Sequence, residues 1–288
     1  IRPAEMWPYD YSRENETPLL WFSEGFTNYY GALSVYRAGL MDEKAFLARV
    51  AGAASGVEGN EVRNYVSPAN ASVSTWVGYD TPVAFGISYY TQGQNLGALL
   101  DLSIRHDSGG KASLDDVLRT LYRENYQRGR GFTIDDMVAV IKQLTKQDYA
   151  EFFDRYIYGT EIPDFDRIFG YAGYRIEKTK HTTAVFGWAG RVRNGGFVIN
   201  YIRPETPAAE AGLHVGDIVM SYNGVDVYRA EPDDLAGHDV KLKVKRGDQP
   251  VMDVTVKTGS RQFESYSLVA AQTPTAEQMA IRQGWLKR

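Results

Sequence analysis

The stretch Pro18 to Leu33, PLLWFSEGFTNYYGAL, decides how this chain of 288 residues is interpreted. Read as a helix, it is apolar nearly all round, which predicts that the helix is buried. Glu24 is its only carboxylate, and a buried carboxylate is costly unless it is paired, hydrogen-bonded or bound to a metal. Glu24 is therefore a metal ligand, the partner of a buried Arg or Lys, or a protonated core acid. Composition alone favours the ion pair, because buried charges are usually paired.

The residues around Glu24 resemble the helix that supplies the third ligand in gluzincin zinc peptidases. The likeness rests on Trp21 to Tyr30, WFSEGFTNYY, and on the preceding segments Ile1-Arg-Pro3 and Pro8-Tyr-Asp-Tyr11. The resemblance is closest to the glycyl aminopeptidase family, whose members carry a PDZ domain near the C-terminus. It implies that Glu24 binds zinc together with two His of an HExxH helix, whose Glu is the general base.

That HExxH helix has no counterpart in this sequence. The chain contains four His, and none stands in an HExxH motif: His106, His181, His214 and His238. A catalytic zinc needs three protein ligands and an open position for water, so Glu24 alone does not make a site. By the family pattern, Ile1 falls shortly after the second zinc His. We therefore expect an engineered or processed fragment of a zinc aminopeptidase, inactive by itself and with no zinc bound.

Tyr90 is the second catalytic candidate, in a helix predicted over Ile87 to Arg105 from the helical spacing of its apolar residues. Tyr90-Thr-Gln-Gly93 resembles the Tyr-x-Lys-Gly element of related zinc aminopeptidases, with Gln92 in place of the Lys. The resemblance implies that the Tyr90 hydroxyl donates a hydrogen bond to the oxyanion formed from the scissile carbonyl. Preorganised donors of this kind are usually the largest contribution to catalysis. Without the resemblance, Tyr89 and Tyr90 are ordinary aromatic residues at a helix start.

The remainder of the first half predicts further helices and one long loop. Asp42 is expected to cap a helix, and Ser113 and Thr133 each precede an acid by three residues, the arrangement of a capping box. Residues 58 to 86 show no sustained period. We predict an ordered loop that lines a cleft, because the segment carries four aromatic residues: Tyr65, Trp76, Tyr79 and Phe85.

From Tyr171 onward, short β-branched runs separated by Gly indicate a new domain that begins near Phe169. Taken together, Pro207-Ala-Ala-Glu-Ala-Gly-Leu213, Gly216-Asp217 and Asn223-Gly224 resemble a PDZ domain closely.

This second resemblance implies a peptide-binding loop. Its residues would hold a peptide C-terminus through their backbone N–H groups while the peptide adds a strand to the sheet edge, and they are Val185, Phe186, Gly187 and Trp188. The helix that flanks such a groove is expected at residues 232–236, where the segment is short and poor in apolar residues. The groove is therefore predicted to be truncated, and peptide capture and a structural or docking role remain equally open.

The sequence thus predicts a multi-domain α+β fold. A mostly α-helical peptidase subdomain covers residues 1–169, a small antiparallel β PDZ domain covers 170–260, and an extension with a short helix covers 261–288. In the extension, Thr275 is expected to cap the helix, and Met279 and Trp285 are expected to pack back on the body.

Composition narrows the classes of partner. A net charge of −4 and a pI of about 5.7 give no general attraction to nucleic acid or acidic membranes. No apolar run reaches the length of a transmembrane helix. The absence of Cys excludes disulfides and thiol catalysis, and it favours a periplasmic or secreted protein.

Two functions from different classes follow. The first is the C-terminal part of a zinc aminopeptidase that cleaves peptides and, as the family implies, prefers a small N-terminal residue such as Gly. The alternative is a non-catalytic PDZ module that binds peptide C-termini or docks within its own protein. A PDZ serine protease is disfavoured, since the chain lacks a Gly-x-Ser-x-Gly motif and its first half predicts helices.

Overall fold

The structure, a computed structural model, describes residues 1–80, 86–193, 195–230 and 232–287, without the side chains of residues 78–80 and 232–233. The chain forms two compact units. Unit 1 comprises Ile1–Lys178 and Ser265–Arg288, and unit 2 comprises Thr179–Glu264. Residues from 265 onward, which the sequence places in a C-terminal extension, therefore fold within unit 1.

Helices dominate the first part of the chain and strands the second, as the predicted α+β class requires. In chain order the α-helices are α1 (Leu20–Arg37), α2 (Glu43–Glu58), α3 (Pro68–Val73), α4 (Thr75–Asp80), α5 (Tyr89–Asp107), α6 (Leu114–Glu124), α7 (Ile134–Thr145), α8 (Ala150–Phe153), α9 (Phe165–Gly170), α10 (Pro207–Glu210) and α11 (Ala276–Trp285). The strands are β1 (Tyr174–Val185), β2 (Trp188–Arg193), β3 (Gly196–Ile202), β4 (Ile218–Tyr222), β5 (Val225–Asp226), β6 (Asp239–Lys245), β7 (Met252–Lys257) and β8 (Gly259–Ala270). The predicted fold class is confirmed. Within the described ranges, no helix is both long enough and apolar enough to cross a membrane.

Predicted caps begin several of the helices in unit 1. The Asp42 carboxylate accepts a hydrogen bond from the N–H of Ala45 at 2.7 Å. Ser113, Thr133 and Thr275 each form the capping box that their spacing predicts. These side chains satisfy N–H groups that the first turn of a helix leaves without a partner.

The prediction of one long loop over residues 58 to 86 is wrong. A 3-10 turn at Glu61–Asn64 and the short helices α3 and α4 occupy most of this segment. Polar residues start two of them, because the side chain of Asn60 accepts from Val62 N and that of Ser67 accepts from Asn70 N. Of the four aromatic residues expected to line a cleft, Tyr65 is 82% exposed and Trp76 is 38% exposed. The side chains of residues 79 and 85 lie outside the described part of the structure.

Helix α1 is buried on one face only, so the prediction of a helix buried all round is also wrong. The buried side includes Trp21, which is fully buried, and Tyr29, which is 1% exposed. Thr27 and Asn28 are exposed, and Glu24 is half-buried. The aromatic residues on the buried side explain the apolar character of the sequence. The Gly and Ser residues do not show which face is buried, because such small residues occur on both buried and exposed faces.

The C-terminal helix α11 packs into the core of unit 1 through Trp285. This side chain is fully buried, and its Nε1–H donates to the Tyr29 hydroxyl at 2.7 Å. The packing predicted for Trp285 is therefore confirmed. The packing predicted for Met279 is wrong, because its side chain is 43% exposed.

Unit 2 contains an antiparallel sheet with the strand order β2-β3-β4-β6-β7, and β5 pairs with β4. Strand β6 shows why the sheet has a single core face: its Val240, Leu242 and Val244 are fully buried, while the residues between them are exposed. This alternation is the two-residue period of a sheet covered on one side. Strand β2 lies at one end of the strand order.

A buried ion pair braces the turn that carries the predicted Gly-Asp element of unit 2. Asp217 is 1% exposed and accepts two hydrogen bonds of 2.7 Å from Arg246, through Nε and Nη2. It also accepts from His214 N at 2.9 Å. Burial opposes ionisation of Asp217, but these hydrogen bonds outweigh it, so the pKa of Asp217 lies below its ordinary value.

We expect the stability of unit 2 to fall in acid because of Asp217. A carboxylate whose folded pKa is depressed stabilises the fold above its unfolded pKa of about 3.9, and this stabilisation is lost as the pH falls through the folded pKa. Asp217→Asn should cost about 2 kcal/mol at pH 7, less than a fully buried pair because solvent reaches the Arg246 side chain. Thermal unfolding followed on the methyl signals of Val219 and Val244 between pH 2 and 7 measures both effects. If the unfolding temperature of Asp217→Asn falls with decreasing pH as steeply as that of the wild type, Asp217 is not the source of the acid sensitivity.

Candidate active site

Glu24 and Tyr90 meet because α1 and α5 pack in parallel at very short range. Gly25 lies against Gly93, and four residues further along each helix Tyr29 lies against Gly97. Contacts that advance together on both helices show that the helices run in the same direction. Glu24 comes directly before Gly25 on α1, and Tyr90 lies about one turn before Gly93 on α5. Both side chains therefore lie at the same end of the contact between the two helices.

The close approach requires glycine at both positions. A Cβ on Gly93 would lie 1.8 Å from the carbonyl oxygen of Trp21, and a Cβ on Gly25 would lie 2.3 Å from the Cα of Gly93. Real Cβ atoms do not approach backbone atoms so closely, and only glycine permits such backbone contact. Gly25, which follows Glu24, and Gly93, which ends the Tyr90 motif, therefore determine the distance between α1 and α5.

The Tyr90 hydroxyl is held in its protonated form. Its ring is 39% exposed and stacks on Tyr89 at a centroid distance of 4.8 Å. Desolvation, and then a hydrogen bond and charge repulsion from Glu24, raise the pKa of Tyr90 to about 12. At neutral pH the Tyr90 hydroxyl therefore keeps its proton and can act as a hydrogen-bond donor.

Glu24 is neither fully buried nor ion-paired. Its side chain is half-buried, and no Lys or Arg in the described ranges forms a salt bridge with it. The ion pair that composition favours is therefore not the arrangement found. The Tyr90 hydroxyl lies close enough to Glu24 for Glu24 to raise the pKa of Tyr90.

A complete zinc site does not fit the residues that the structure describes. No three His, Cys, Asp or Glu side chains among them come together in a way that could hold a metal. His106 stacks on Tyr171 at 3.8 Å, and His181 stacks on Phe263 at 5.0 Å. The described part of the chain therefore offers one carboxylate, Glu24, toward a metal that requires three protein ligands.

The predicted peptide-binding loop of unit 2 links β1 to β2 in a tightly packed conformation. Phe186 is 7% exposed and stacks on Trp188 at 4.3 Å. Gly187 has a φ of +81°, and a Cβ there would lie 2.2 Å from the Cβ of Thr206. The carbonyl oxygen of Gly187 accepts from Arg203 N at 2.8 Å. Phe186 and Gly187 thus hold the fold of unit 2, so their substitution cannot test peptide binding by itself.

The expected helix beside this loop is reduced to one 3-10 turn, Pro232–Leu235. Leu235 is 8% exposed and belongs to the core of unit 2. Strand β2, which follows the loop, is exposed along most of its length. Unit 2 therefore has an exposed edge strand, β2, but only a short 3-10 turn where a PDZ domain has the helix that flanks its peptide groove.

Sequence reasoning missed a polar network beside the α1–α5 contact. Asp101 is fully buried and accepts from Arg105 Nε at 3.0 Å, from Leu114 N at 3.0 Å and from the Tyr29 hydroxyl at 2.8 Å. An acid and an Arg four residues apart in an otherwise apolar helix were the available signal, since this spacing places them on one face.

Comparison with known proteins supports both halves of this description. Residues 1–96 match the family described as M61 glycyl aminopeptidase, and residues 198–246 match the PDZ domain. One segment of unit 1 thus matches a peptidase family, and one segment of unit 2 matches the PDZ domain. The recognition made from the sequence is confirmed: the chain contains a glycyl aminopeptidase segment of the M61 type and a PDZ domain.

Among solved structures, the chain is similar to an aminopeptidase N family protein from Idiomarina loihiensis, with 22% identity and a TM-score of 0.73. The match covers 99% of this chain and 51% of that protein, so this chain spans about half the length of its relative. At this identity the likeness shows the fold alone. A PDZ domain protein from Parabacteroides distasonis shares 25% identity over 28% of this chain and 21% of that one, with a TM-score of 0.24. No curated protein matches the chain.

Proposed function

We propose that this chain supplies part of the active site of a zinc aminopeptidase, with Glu24 as a metal ligand and Tyr90 as the oxyanion donor. The match of residues 1–96 to a peptidase family supports peptide hydrolysis. The observation that carries the proposal is that the close contact of α1 and α5 brings Tyr90 near Glu24, 66 positions away in the chain, where burial and then Glu24 raise the pKa of Tyr90.

The remaining metal ligands are not among the described residues, so hydrolysis requires further residues of the protein. Glu24 contributes a charged oxygen ligand of the kind that zinc accepts. Its half-buried position suits that role, because the carboxylate is partly desolvated yet open to a metal on its exposed side. The family match further supports a preference for a small N-terminal residue such as Gly.

Tyr90 is the residue of this chain whose chemistry can be assigned most directly. A phenol whose pKa is about 12 keeps its proton at neutral pH and can donate to a carbonyl oxygen as that oxygen gains charge. Stacking on Tyr89 fixes the ring before substrate arrives. A donor that is already oriented needs no reorganisation during the reaction, which is the condition for effective oxyanion stabilisation.

The test is Tyr90→Phe in a preparation of the longer protein that releases Gly from peptides. We expect kcat to fall by about 10²- to 10³-fold with the fold intact, because one oxyanion donor is removed. Tyr122→Phe, on α6 and similarly exposed, is the matched control and should retain full activity. Glu24→Gln should abolish both metal binding and hydrolysis. Full activity of Tyr90→Phe or of Glu24→Gln would overturn the proposal.

A second candidate function, capture of a peptide C-terminus by unit 2, is favoured by the position of β2 at the end of the sheet. PDZ domains bind peptides by adding a strand at such an edge. The two functions separate cleanly, because Glu24→Gln and Tyr90→Phe should leave peptide binding by unit 2 unchanged. Loss of that binding in either variant would count against an independent module.

A further inference from the structure

A polar groove lies one helical turn beyond the Glu24–Tyr90 pair. It has a volume of about 360 Å³ and is lined by residues of three helices: Asn28 and Ala32 of α1, Arg49, Gly52 and Ala53 of α2, and Thr91 and Gln94 of α5. The groove exists because Ala32, Gly52 and Ala53 have small side chains where the three helices meet. Its rim carries the larger polar side chains.

The groove continues the candidate active site along both helices. Asn28 follows Glu24 by four residues on α1, and Gln94 follows Tyr90 by four residues on α5. Residues four apart lie on the same helix face, about 6 Å apart along the axis. Two residues of an extended peptide span about 7 Å. A peptide whose scissile carbonyl lies at Tyr90 would therefore place the end of its third residue in the groove.

Arg49 gives the groove its charge. Its side chain is exposed and forms no ion pair with any residue that the structure describes. No other residue that lines the groove is ionisable. Asn28, Thr91 and Gln94 add neutral hydrogen-bonding groups to the groove, and the Gln94 side-chain amide donates to the backbone carbonyl oxygen of Arg49 at 3.4 Å. A planar guanidinium matches a carboxylate with two parallel hydrogen bonds.

We infer that this groove binds the free C-terminal carboxylate of a tripeptide, with Arg49 as the charged partner. The inference rests on the proposed function, since the distance is counted from Glu24 and Tyr90. It adds a substrate class: short peptides with a free carboxyl end, rather than the N-termini of long chains. A longer peptide would have an uncharged amide at this position and would leave Arg49 without its partner.

The first experiment measures binding and needs no catalytic activity. The chain as described is titrated with triglycine and with triglycine amide, and the NMR signals of the Arg49 Nε–H and of the side-chain amides of Asn28 and Gln94 are followed. We expect triglycine to shift these signals and to bind at least about tenfold more tightly than the amide, as for a hydrogen bond to a charged group. Arg49→Gln should remove this difference. Lys44→Gln, which removes the same charge elsewhere on α2, should leave it unchanged.

Two results would overturn the inference: equal binding of triglycine and its amide, or a preference for triglycine that survives Arg49→Gln. Absence of any shift would overturn it as well. A parallel assay in the active longer protein compares kcat/KM for the two peptides, where Arg49→Gln should lower the ratio about tenfold. If Glu24→Gln and Tyr90→Phe remain active while Arg49→Gln alters the ratio, the proposed function fails and the carboxylate site stands. If the reverse holds, the proposed function stands alone.

Discussion

Replacing Gly93 by Ala should destabilise unit 1 by about 3 kcal/mol or more, at the upper end of overpacking effects. The new methyl group would lie 1.8 Å from the carbonyl oxygen of Trp21 and 2.8 Å from the Cα of Gly25. Both are backbone atoms, which cannot rotate away as a side chain can. Helices α1 and α5 must therefore separate, which moves Tyr90 away from Glu24.

Thermal unfolding followed by circular dichroism at 222 nm measures this effect, because nearly all of the described α-helices lie in unit 1. Gly31→Ala is the matched control on α1. No atom lies within 4 Å of its added Cβ, so it should stabilise the helix by about 0.5–1 kcal/mol. The Cβ of Gly97→Ala would lie 3.1 Å from the ring of Phe26, so the effect of this substitution on stability should lie between those of Gly93→Ala and Gly31→Ala. If Gly93→Ala unfolds at the same temperature as the wild type, α1 and α5 are further apart than the structure shows.

Asp101→Asn is the second substitution with a large expected effect, about 3–5 kcal/mol. Asp101 is fully buried and its ion-pair partner Arg105 has a side chain that is 8% exposed, so the variant leaves a buried guanidinium without a counter-charge. The substitution also disturbs Tyr29, whose hydroxyl donates to Asp101 and accepts from Trp285. Burial raises the pKa of Tyr29, so its hydroxyl keeps the proton that this chain of hydrogen bonds requires.

Urea unfolding of single and double variants separates the charge from the packing. Asp101→Asn combined with Arg105→Met removes both charges and should be less destabilising than the sum of the single changes, by about 0.5–3 kcal/mol. Glu151→Gln, which breaks an exposed pair with Arg155, should leave the urea midpoint of unfolding unchanged, because water screens exposed ion pairs. Additive effects of the two buried substitutions would mean that Asp101 and Arg105 do not act as a pair.

The Asp101 network and the glycine contact together explain how the candidate site is positioned. The network joins α1, α5 and α11 through Tyr29, Asp101 and Trp285. Asp101 lies three turns after Tyr90 on α5, and Tyr29 lies between one and two turns after Glu24 on α1. The glycines bring the other end of the same two helices into contact. The site therefore lies at the end of a rigid helix pair, as preorganised catalytic groups require.

Motif reasoning found Glu24 and Tyr90 individually but could not show that they touch. Both stand in local patterns of residue types, which a sequence displays directly. Their contact depends on the distance between α1 and α5, and that distance depends on Gly25 and Gly93. Glycine has no side chain that could indicate in the sequence which residue it contacts. For the same reason, the groove at Arg49 escaped notice: its lining comes from three helices, and its space arises from the small size of Ala32 and Gly52.

The sequence by itself determined that a helical part precedes a part rich in strands, and it determined several helix caps and the PDZ signature, because each depends on neighbours a few residues apart. It also identified the peptidase segment. Only the tertiary structure decided which face of α1 is buried, that residues 58–80 form short helices, and that Glu24 lies near a neutral Tyr rather than in an ion pair with a buried cation. These outcomes depend on contacts between residues distant in the chain. Packing and desolvation set the energies of such contacts, and both exist only once the helices have come together.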